Sequence, residues 1–239
     1  MQTRREFLAG SAMTLTALSL ASAQQAVAQQ DAGQQAAGQN PVKSAPDVIL
    51  YDGSYPGWPW ITAGEDGTFY CVFREGTIHG YSPAGRALLT KSTDKGRTWS
   101  KPSVIIDYPL VDDRNVAIVE LANGDLLVTY NVYTVDEKCE AMTIRSKDKG
   151  ETWLAPQSVG VPDTRTRGAA VQLNSGAVLF PFYSANREGA IAARSEDEGR
   201  TWTHALVPNS EGFVGDEWSA LEVEPGHIVG ISRNHHPQT

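Results

Sequence analysis

Short apolar runs alternate with turn-forming residues along the chain from Asp47 onwards. The runs are rich in Val, Ile, Leu, Phe and Tyr, and Gly, Asn, Asp and Pro separate them. No stretch of this region has the period of an amphipathic helix. Runs of this length, bounded by such residues, are typical of β-strands joined by tight turns. The pattern therefore predicts an all-β domain.

An eight-residue pattern, S-x-D-x-G-x-T-W, punctuates these strands three times, at residues 92–99, 146–153 and 195–202. The Asp carboxylate is expected to accept hydrogen bonds from backbone N–H groups about two residues later. The Gly is expected to supply a positive φ, and the Trp to pack between sheets. A unit that recurs at this spacing among many short strands favours a β-propeller over a sandwich. The ligand spacing of a calcium loop is absent, so we predict neither a metal nor a cofactor.

A second signature, a hairpin turn ending in Gly, precedes each copy of the pattern and also follows the last. In a radial repeat, equal offsets from these glycines place residues at equivalent points around the axis. Seven residues after and nine residues before Gly67, Gly124, Gly176 and Gly226 lie Arg74, Asn131, Tyr183, Arg233, Trp58, Asn115, Arg167 and Glu217. We predict that these eight positions ring one mouth of a central channel. Several charges gathered there are costly unless they pair or bind a ligand, which indicates a pocket for a charged or sugar ligand.

The repeated pattern resembles the Asp box of the sialidase-like (BNR-repeat) β-propellers, and the resemblance extends from about Asp47 to the end of the chain. It implies an all-β, sialidase-type β-propeller, six-bladed when complete, with about four blades in residues 47–239. In this family the boxes are structural and lie away from the catalytic face. Six blades of about 50 residues need ~300 residues. We therefore expect a C-terminally truncated propeller, with a complete four-bladed propeller as the alternative.

Residues 217–233 resemble a specific sialidase segment, in which a Glu polarises a tyrosine nucleophile and an Arg sixteen residues later clamps the sialic acid carboxylate. The resemblance implies that Glu217 is the base partner and Arg233 a carboxylate clamp. Phe73-Arg74-Glu75-Gly76 resembles a segment with a further substrate-contacting Arg. The substrate-binding residues expected from the ring and the resemblance together are Arg74, Arg114, Arg167, Arg233, Asn131 and Tyr183.

Two positions depart from the sialidase pattern. Gly57 stands where the family has the first Arg of its clamp, and the region of His79 has no Asp where the family has its acid/base. His79 is a candidate acid because histidine titrates near neutral pH, and Asp112 and Asp113 from the next unit are the alternatives. The tyrosine nucleophile and the third clamp Arg are expected beyond Thr239, so we expect the 239-residue chain to be inactive by itself.

The favoured function is that of an exported, exo-α-sialidase-like glycoside hydrolase, acting on a terminal acidic sugar of glycoconjugates. One alternative is a propeller that binds carbohydrate without catalysis. Another is a polysaccharide lyase with His79 or Tyr183 as the base beside an Arg that neutralises a uronate. Fold alone does not choose between them.

The first 46 residues have a different composition. Arg4-Arg5 precede Phe7 and an apolar run that ends in small residues, so residues 1–28 are predicted to be a twin-arginine-type signal peptide. Residues 29–46, rich in Gln and Ala, are predicted to be a disordered leader. We therefore expect a periplasmic or secreted monomer that leaves the membrane after signal cleavage.

The net charge of the chain is -8, which argues against nucleic acid and anionic membranes as partners but does not indicate the substrate. The sialidase resemblance implies a carbohydrate or glycoconjugate partner. Cys71 and Cys139 fall in different repeat units, so we expect two separate buried thiols, although the exported setting permits a disulfide.

Overall fold

A computed structural model describes residues 48–185, 189–208 and 215–234. The predicted signal peptide and leader lie outside the described residues and stay predictions. The regular structure of the described part is entirely β-strand, which confirms the all-β prediction. Among the described residues there is no helix long and apolar enough to span a bilayer.

The strands form four antiparallel sheets, here called blades 1 to 4, whose strands follow one another in chain order. Blade 1 contains β1 (Pro56–Ala63), β2 (Phe69–Glu75), β3 (Arg86–Ser92) and β4 (Ser103–Ile106). Blade 2 contains β5 (Asp112–Glu120), β6 (Leu126–Tyr133), β7 (Cys139–Ser146) and β8 (Gln157–Pro162). Blade 3 contains β9 (Thr164–Arg165), β10 (Val171–Gln172), β11 (Val178–Ser184), β12 (Ala190–Ser195) and β13 (Thr203–Leu206). Blade 4 is described as the hairpin of β14 (Gly215–Glu224) and β15 (His227–Asn234).

The core lies between successive blades, as in a propeller. One apolar cluster joins Tyr70 and Leu89 of blade 1 to Ile118 of blade 2. A second joins Leu127 of blade 2 to Phe180 of blade 3. With β9 and β10 counted as one split strand, the second strands are β2, β6 and β11, and they are buried nearly throughout. Neighbouring blades cover both faces of β6 and β11, whereas β2 packs against blade 2 on one face and against Leu50, Tyr51 and Trp99 on the other.

The first strand of each blade faces a common axis. One cavity is lined by side chains from β1, β5, β10 and β14, represented by Ile61, Ile118, Val171 and Ala220. This arrangement meets the condition on which the predicted ring of eight residues depends. Cys71 and Cys139 are both buried free thiols, which confirms the prediction that they do not pair.

Each Asp box forms the turn between the third and fourth strands of blades 1, 2 and 3. In the first box, Asp94 accepts hydrogen bonds from Thr98 N at 2.8 Å and Thr98 Oγ1 at 2.6 Å. The backbone bond therefore reaches four residues along the chain, not the two that we predicted. Lys95 and Gly96 both have positive φ, 62° and 82°, which gives the turn the length that this bond needs. Ser92 Oγ accepts from Gly96 N at 2.9 Å and donates to Asp94 Oδ1.

Hydrogen bonds stabilise the ionised form of the box carboxylates. The hydroxyl and backbone N–H of Thr98 lower the pKa of Asp94 to about 2, and those of Thr152 lower the pKa of Asp148 to about 2. The boxes therefore keep their charge, and the hydrogen bonds that depend on it, well into the acid range.

The second and third boxes also contact the preceding blade. Gly150 has a φ of +85°, and a Cβ there would lie 2.4 Å from Leu89 Cδ2 of blade 1, so a larger residue would strain the backbone and displace Leu89. Lys91 of blade 1 donates to Lys149 O and pairs with Glu151 in the second box. The boxes thus close their own turns and fasten adjacent blades.

We expect Ser146→Ala to lower the free energy of unfolding by about 1–3 kcal/mol, because Gly150 N is buried and donates to Ser146 Oγ at 2.8 Å. Urea denaturation followed by tryptophan fluorescence measures the change. Ser54→Ala, at an exposed position outside any strand, is the matched control. Equal stability of the two variants would contradict the structural role of the box serine.

Candidate functional site

A pocket lies at the end of the blades where the first strands begin and the second strands end. Antiparallel pairing brings these ends together, and Arg114 on β5 lies opposite Asn131 on β6, while Arg165 on β9 lies opposite Tyr183 on β11. Six of the eight predicted ring positions line this pocket: Trp58, Asn115, Asn131, Tyr183, Glu217 and Arg233. Arg74 and Arg167 are not among its lining residues.

A bulge recurs where the first strand of three blades enters the pocket. The register shifts between Gly57 and Trp60 on β1, between Arg114 and Ala117 on β5, and between Gly215 and Trp218 on β14. Trp58 and Asn115, the bulged residues of blades 1 and 2, have positive φ of 48° and 56°. A bulge redirects side chains out of the alternation of a regular strand, and here it turns them towards the pocket.

Arg74 is wholly buried and forms a bidentate ion pair with Asp112 of the neighbouring blade. Its Nε donates to Asp112 Oδ1 and its Nη2 to Oδ2, both at 2.7 Å, and its Nη1 donates to Ile78 O at 2.7 Å. Neither side chain is exposed to solvent. This placement differs from the substrate-contacting position that the resemblance implies, because the partner carboxylate from the next blade draws Arg74 inwards.

Arg114 supplies a guanidinium group to the pocket beside that ion pair. Its Cζ lies 4.2 Å from the ring centroid of Trp58 and 5.4 Å from that of Tyr133. Its Nη2 donates to His79 O at 3.1 Å, and its Nη1 lies 3.6 Å from Asp112 Oδ2. Burial lowers the pKa of Arg114, while Asp112 opposes that effect. Arg114 was predicted to bind substrate, and it lines the pocket.

Arg165, which the sequence analysis missed, occupies the pocket wall where Arg167 was expected. Its Nε donates to Cys139 Sγ at 3.2 Å, and its Cζ lies 5.7 Å from the ring centroid of Tyr133. Arg167 is half-buried, and its Nη1 is buried without a hydrogen-bond partner. Nine residues before Gly176 lies Arg167, two residues after the arginine that lines the pocket. The count misses Arg165 because the first strand of blade 3 is split into β9 and β10.

Four polar residues of blades 3 and 4 form one group in the pocket. Arg233 Nη1 lies 3.3 Å from Glu217 Oε2 and 3.9 Å from Asp216 Oδ2. The Tyr183 hydroxyl hydrogen-bonds to Asp216, and burial raises the pKa of Tyr183 well above its ordinary value, with Asp216 and Glu217 adding to the effect. Tyr183 is therefore protonated at neutral pH and acts as a hydrogen-bond donor.

The two candidate acids occupy different places. His79 is exposed at the pocket rim, with its Nδ1 3.4 Å from Tyr55 Oη and its ring centroid 5.1 Å from that of Trp58. Asp113 is buried on the other face of β5 and does not line the pocket. Its Oδ2 accepts from Tyr108 N at 2.9 Å, and its Oδ1 has no hydrogen-bond partner. Burial raises the pKa of Asp113 to about 7.

Asn131 holds the start of blade 3 in place from the floor of the pocket. Its Oδ1 accepts from Thr166 N at 2.8 Å, and its Nδ2 donates to Thr164 O at 3.4 Å. These bonds position Arg165, which lies between the two threonines. Asn131 therefore lines the pocket, as its predicted substrate contact requires, and it also holds the start of blade 3 in place.

With this fold and pocket, the chain belongs to the BNR repeat-like domain family, which matches residues 114–237. Solved structures share the fold. A protein of unknown function from Dyadobacter fermentans is 20% identical with a TM-score of 0.69, over 80% of this chain and 65% of that one. The Hadza microbial sialidase Hz136 is 19% identical with a TM-score of 0.65, over 75% of this chain and 42% of that one.

A sialidase from Trypanosoma rangeli, solved with sialic acid, is 18% identical with a TM-score of 0.61, over 75% of this chain and 34% of that one. At these identities the likeness shows the fold, a sialidase-type β-propeller, as the sequence predicted. The chain spans less than two thirds of the length of each of these three proteins.

We expect Asp112→Asn to lower the free energy of unfolding by about 3–5 kcal/mol, because it leaves the charge of Arg74 buried and uncompensated. Arg74→Met combined with Asp112→Leu should recover much of the loss, because no buried charge then remains. Urea denaturation measures both. Asp107→Asn, a half-exposed carboxylate 3.8 Å from Arg86, is the control. A change below about 1 kcal/mol for Asp112→Asn would argue against a dominant role for the ion pair.

The raised pKa of Asp113 predicts a pH-dependent gain from Asp113→Asn. The folded pKa of about 7 lies above that of an unfolded aspartate, about 4, so the wild-type protein loses stability as pH rises through this window. Asn does not ionise and can still accept from Tyr108 N. We expect the variant to melt on the order of 5 °C higher at pH 8 and with no difference at pH 4. A constant difference at both values, or the same behaviour in Asp52→Asn, would refute the assignment.

Proposed function

We propose that this protein is a sialidase-like exo-glycoside hydrolase that acts on a terminal acidic sugar of glycoconjugates. The observation that carries the proposal is the pair of Glu217 and Arg233 on the β14–β15 hairpin, 3.3 Å apart at the pocket. Their spacing is the most specific match between this sequence and the sialidases. A guanidinium that faces a carboxylate-bearing sugar, beside a carboxylate that polarises a nucleophile, suits the reaction.

The charge of the pocket supports an acidic ligand. Its lining includes three guanidinium groups, those of Arg114, Arg165 and Arg233, against the two carboxylates of Asp216 and Glu217. Asp112 lies behind the wall and is already paired with Arg74. The excess of positive charge favours an anion, and the hydroxyl and amide groups of Tyr183 and Asn131 suit the hydroxyls of a sugar.

The proposed roles follow from position. Arg233 contacts the acidic group of the sugar, and Glu217 acts as the base partner of a tyrosine nucleophile. His79, at the rim, is the candidate proton donor to the leaving group. Asp113, buried behind β5, is the weaker candidate because it does not reach the pocket.

We also propose export through the predicted signal peptide. Cell fractionation tests this proposal, because the double variant Arg4→Lys with Arg5→Lys should then remain in the cytoplasm.

A second candidate is a propeller that binds acidic sugars without cleaving them. It is favoured by one feature of the clamp. Gly57 has no side chain to offer, and the guanidinium of Arg74 is bound to Asp112, so two of the arginines that the resemblance expects at the sugar are not presented to the pocket. The lyase alternative gains less support, because Tyr183 is held protonated and needs a strong base before it can accept a proton.

The test is turnover of fluorogenic sialosides and glucuronides by the purified protein. We expect Glu217→Gln to lower kcat by about 10²–10⁴-fold with little change in KM, because it removes the base and leaves binding intact. Arg233→Gln should instead raise KM. Glu196→Gln, on the distant Asp-box face, is the control.

Tight binding of an acidic sugar with no turnover would overturn the hydrolase and support the binding propeller. A product with new ultraviolet absorption, as an unsaturated uronate has, would point to the lyase.

A further inference from the structure

Two arginines from different blades share one aromatic ring in the pocket. The Cζ of Arg114 on β5 lies 5.4 Å from the ring centroid of Tyr133, and that of Arg165 on β9 lies 5.7 Å from it. Both guanidinium groups line the same pocket. Two positive charges gathered on one ring repel each other, and the arrangement calls for an anion to compensate them.

The other contacts of Arg114 and Arg165 hold both side chains in place but leave some of their N–H donors without an acceptor among the described residues. Arg114 is held by Trp58, at 4.2 Å from its ring, and by its bond to His79 O. Arg165 is held through its Nε by Cys139 Sγ, at 3.2 Å. Within the described part of the chain, the two terminal nitrogens of Arg165 have no hydrogen-bond acceptor, so its outer N–H fork is free to take an oxyanion.

The local carboxylates do not neutralise this pair. Asp112 accepts two hydrogen bonds of 2.7 Å from Arg74, and its oxygen comes no closer than 3.6 Å to the guanidinium of Arg114. No carboxylate of a described residue pairs with Arg165. Arg233 differs, because Glu217 already lies 3.3 Å from it. The uncompensated charge of the pocket is therefore concentrated at Arg114 and Arg165.

We propose that Arg114 and Arg165, which both contact the ring of Tyr133, form an anion-binding site separate from the Arg233–Glu217 pair. This site holds a carboxylate or sulfate group of the sugar ligand. The inference rests on the proposed function only in taking the ligand to be an acidic sugar. Preorganised, partly desolvated guanidinium groups bind oxyanions through charge-assisted hydrogen bonds, and a stacked arginine loses little freedom on binding. A ligand with two acidic groups, or with one on each of two adjoining sugars, can then occupy both sites.

The experiment measures binding of sodium glucuronate, glucose 6-sulfate and glucose by isothermal titration at constant ionic strength. We expect Arg165→Gln to weaken binding of at least one of the two anions by tenfold or more, with no binding of glucose in either protein. Arg165→Lys should recover only part of the affinity, because it keeps the charge and loses the planar fork. Tyr133→Leu should weaken the same anion, whereas Tyr133→Phe, which keeps the ring, should not.

Arg194→Gln is the matched control, because Arg194 lies on the Asp-box face and bonds to Glu196. Loss of glucuronate alone on Arg165→Gln assigns a carboxylate to the site, and loss of glucose 6-sulfate alone assigns a sulfate. If Arg165→Lys and Arg165→Gln bind both anions as the wild-type protein does, or if Arg194→Gln weakens them equally, the proposal is overturned. If the protein cleaves no glycoside but Arg165→Gln still weakens anion binding, the hydrolase proposal is refuted and the proposal of this anion-binding site is kept.

Discussion

The buried ion pair between Arg74 and Asp112 is the constraint on which the pocket depends. It joins β2 of blade 1 to β5 of blade 2, and its atoms also bind the loop of residues 77–82 through Ile78 O, Gly80 O and Ser82 N. Burying two charges costs more than their attraction returns unless further hydrogen bonds satisfy them, and this loop provides those bonds. A Cβ on Gly85 would lie 1.9 Å from Asp112 Oδ1, so glycine there leaves room for the carboxylate.

The electrostatics of the pocket follow from that pair. Because Asp112 gives both of its oxygens to Arg74, it holds Arg114 only loosely, and the rings of Trp58 and Tyr133 orient Arg114 instead. The same loop carries His79 and Tyr81 to the rim, and His79 O accepts from Arg114. One interblade contact therefore sets the position of the candidate acid, the orientation of one guanidinium and the surplus of positive charge in the pocket.

The periodic features could be predicted from the sequence, and the features that depend on a neighbouring blade could not. The Asp boxes and six ring positions followed from fixed offsets, because three of the four first strands carry a bulge that includes the position nine residues before their hairpin glycine. Arg165 was missed because β9 and β10 interrupt that regularity. The burial of Arg74 depends on Asp112, 38 residues away, and no offset within one repeat reveals such a partner. The raised pKa of Asp113 likewise comes from burial within the folded chain, which outweighs the opposing hydrogen bond from Tyr108 N.

The polar group formed by Arg233, Glu217, Asp216 and Tyr183 is linked by shared contacts. Arg233 is shared between Glu217 and Asp216, and Asp216 also accepts from Tyr183. An oxyanion that draws Arg233 towards itself takes a counter-charge away from both carboxylates. Asp216 keeps its hydrogen bond from Tyr183, whereas Glu217 has no ion-pair or hydrogen-bond partner but Arg233 among the described residues. In the proposed function, a ligand that contacts Arg233 therefore acts first on Glu217, the proposed base partner, because the two side chains share one direct contact.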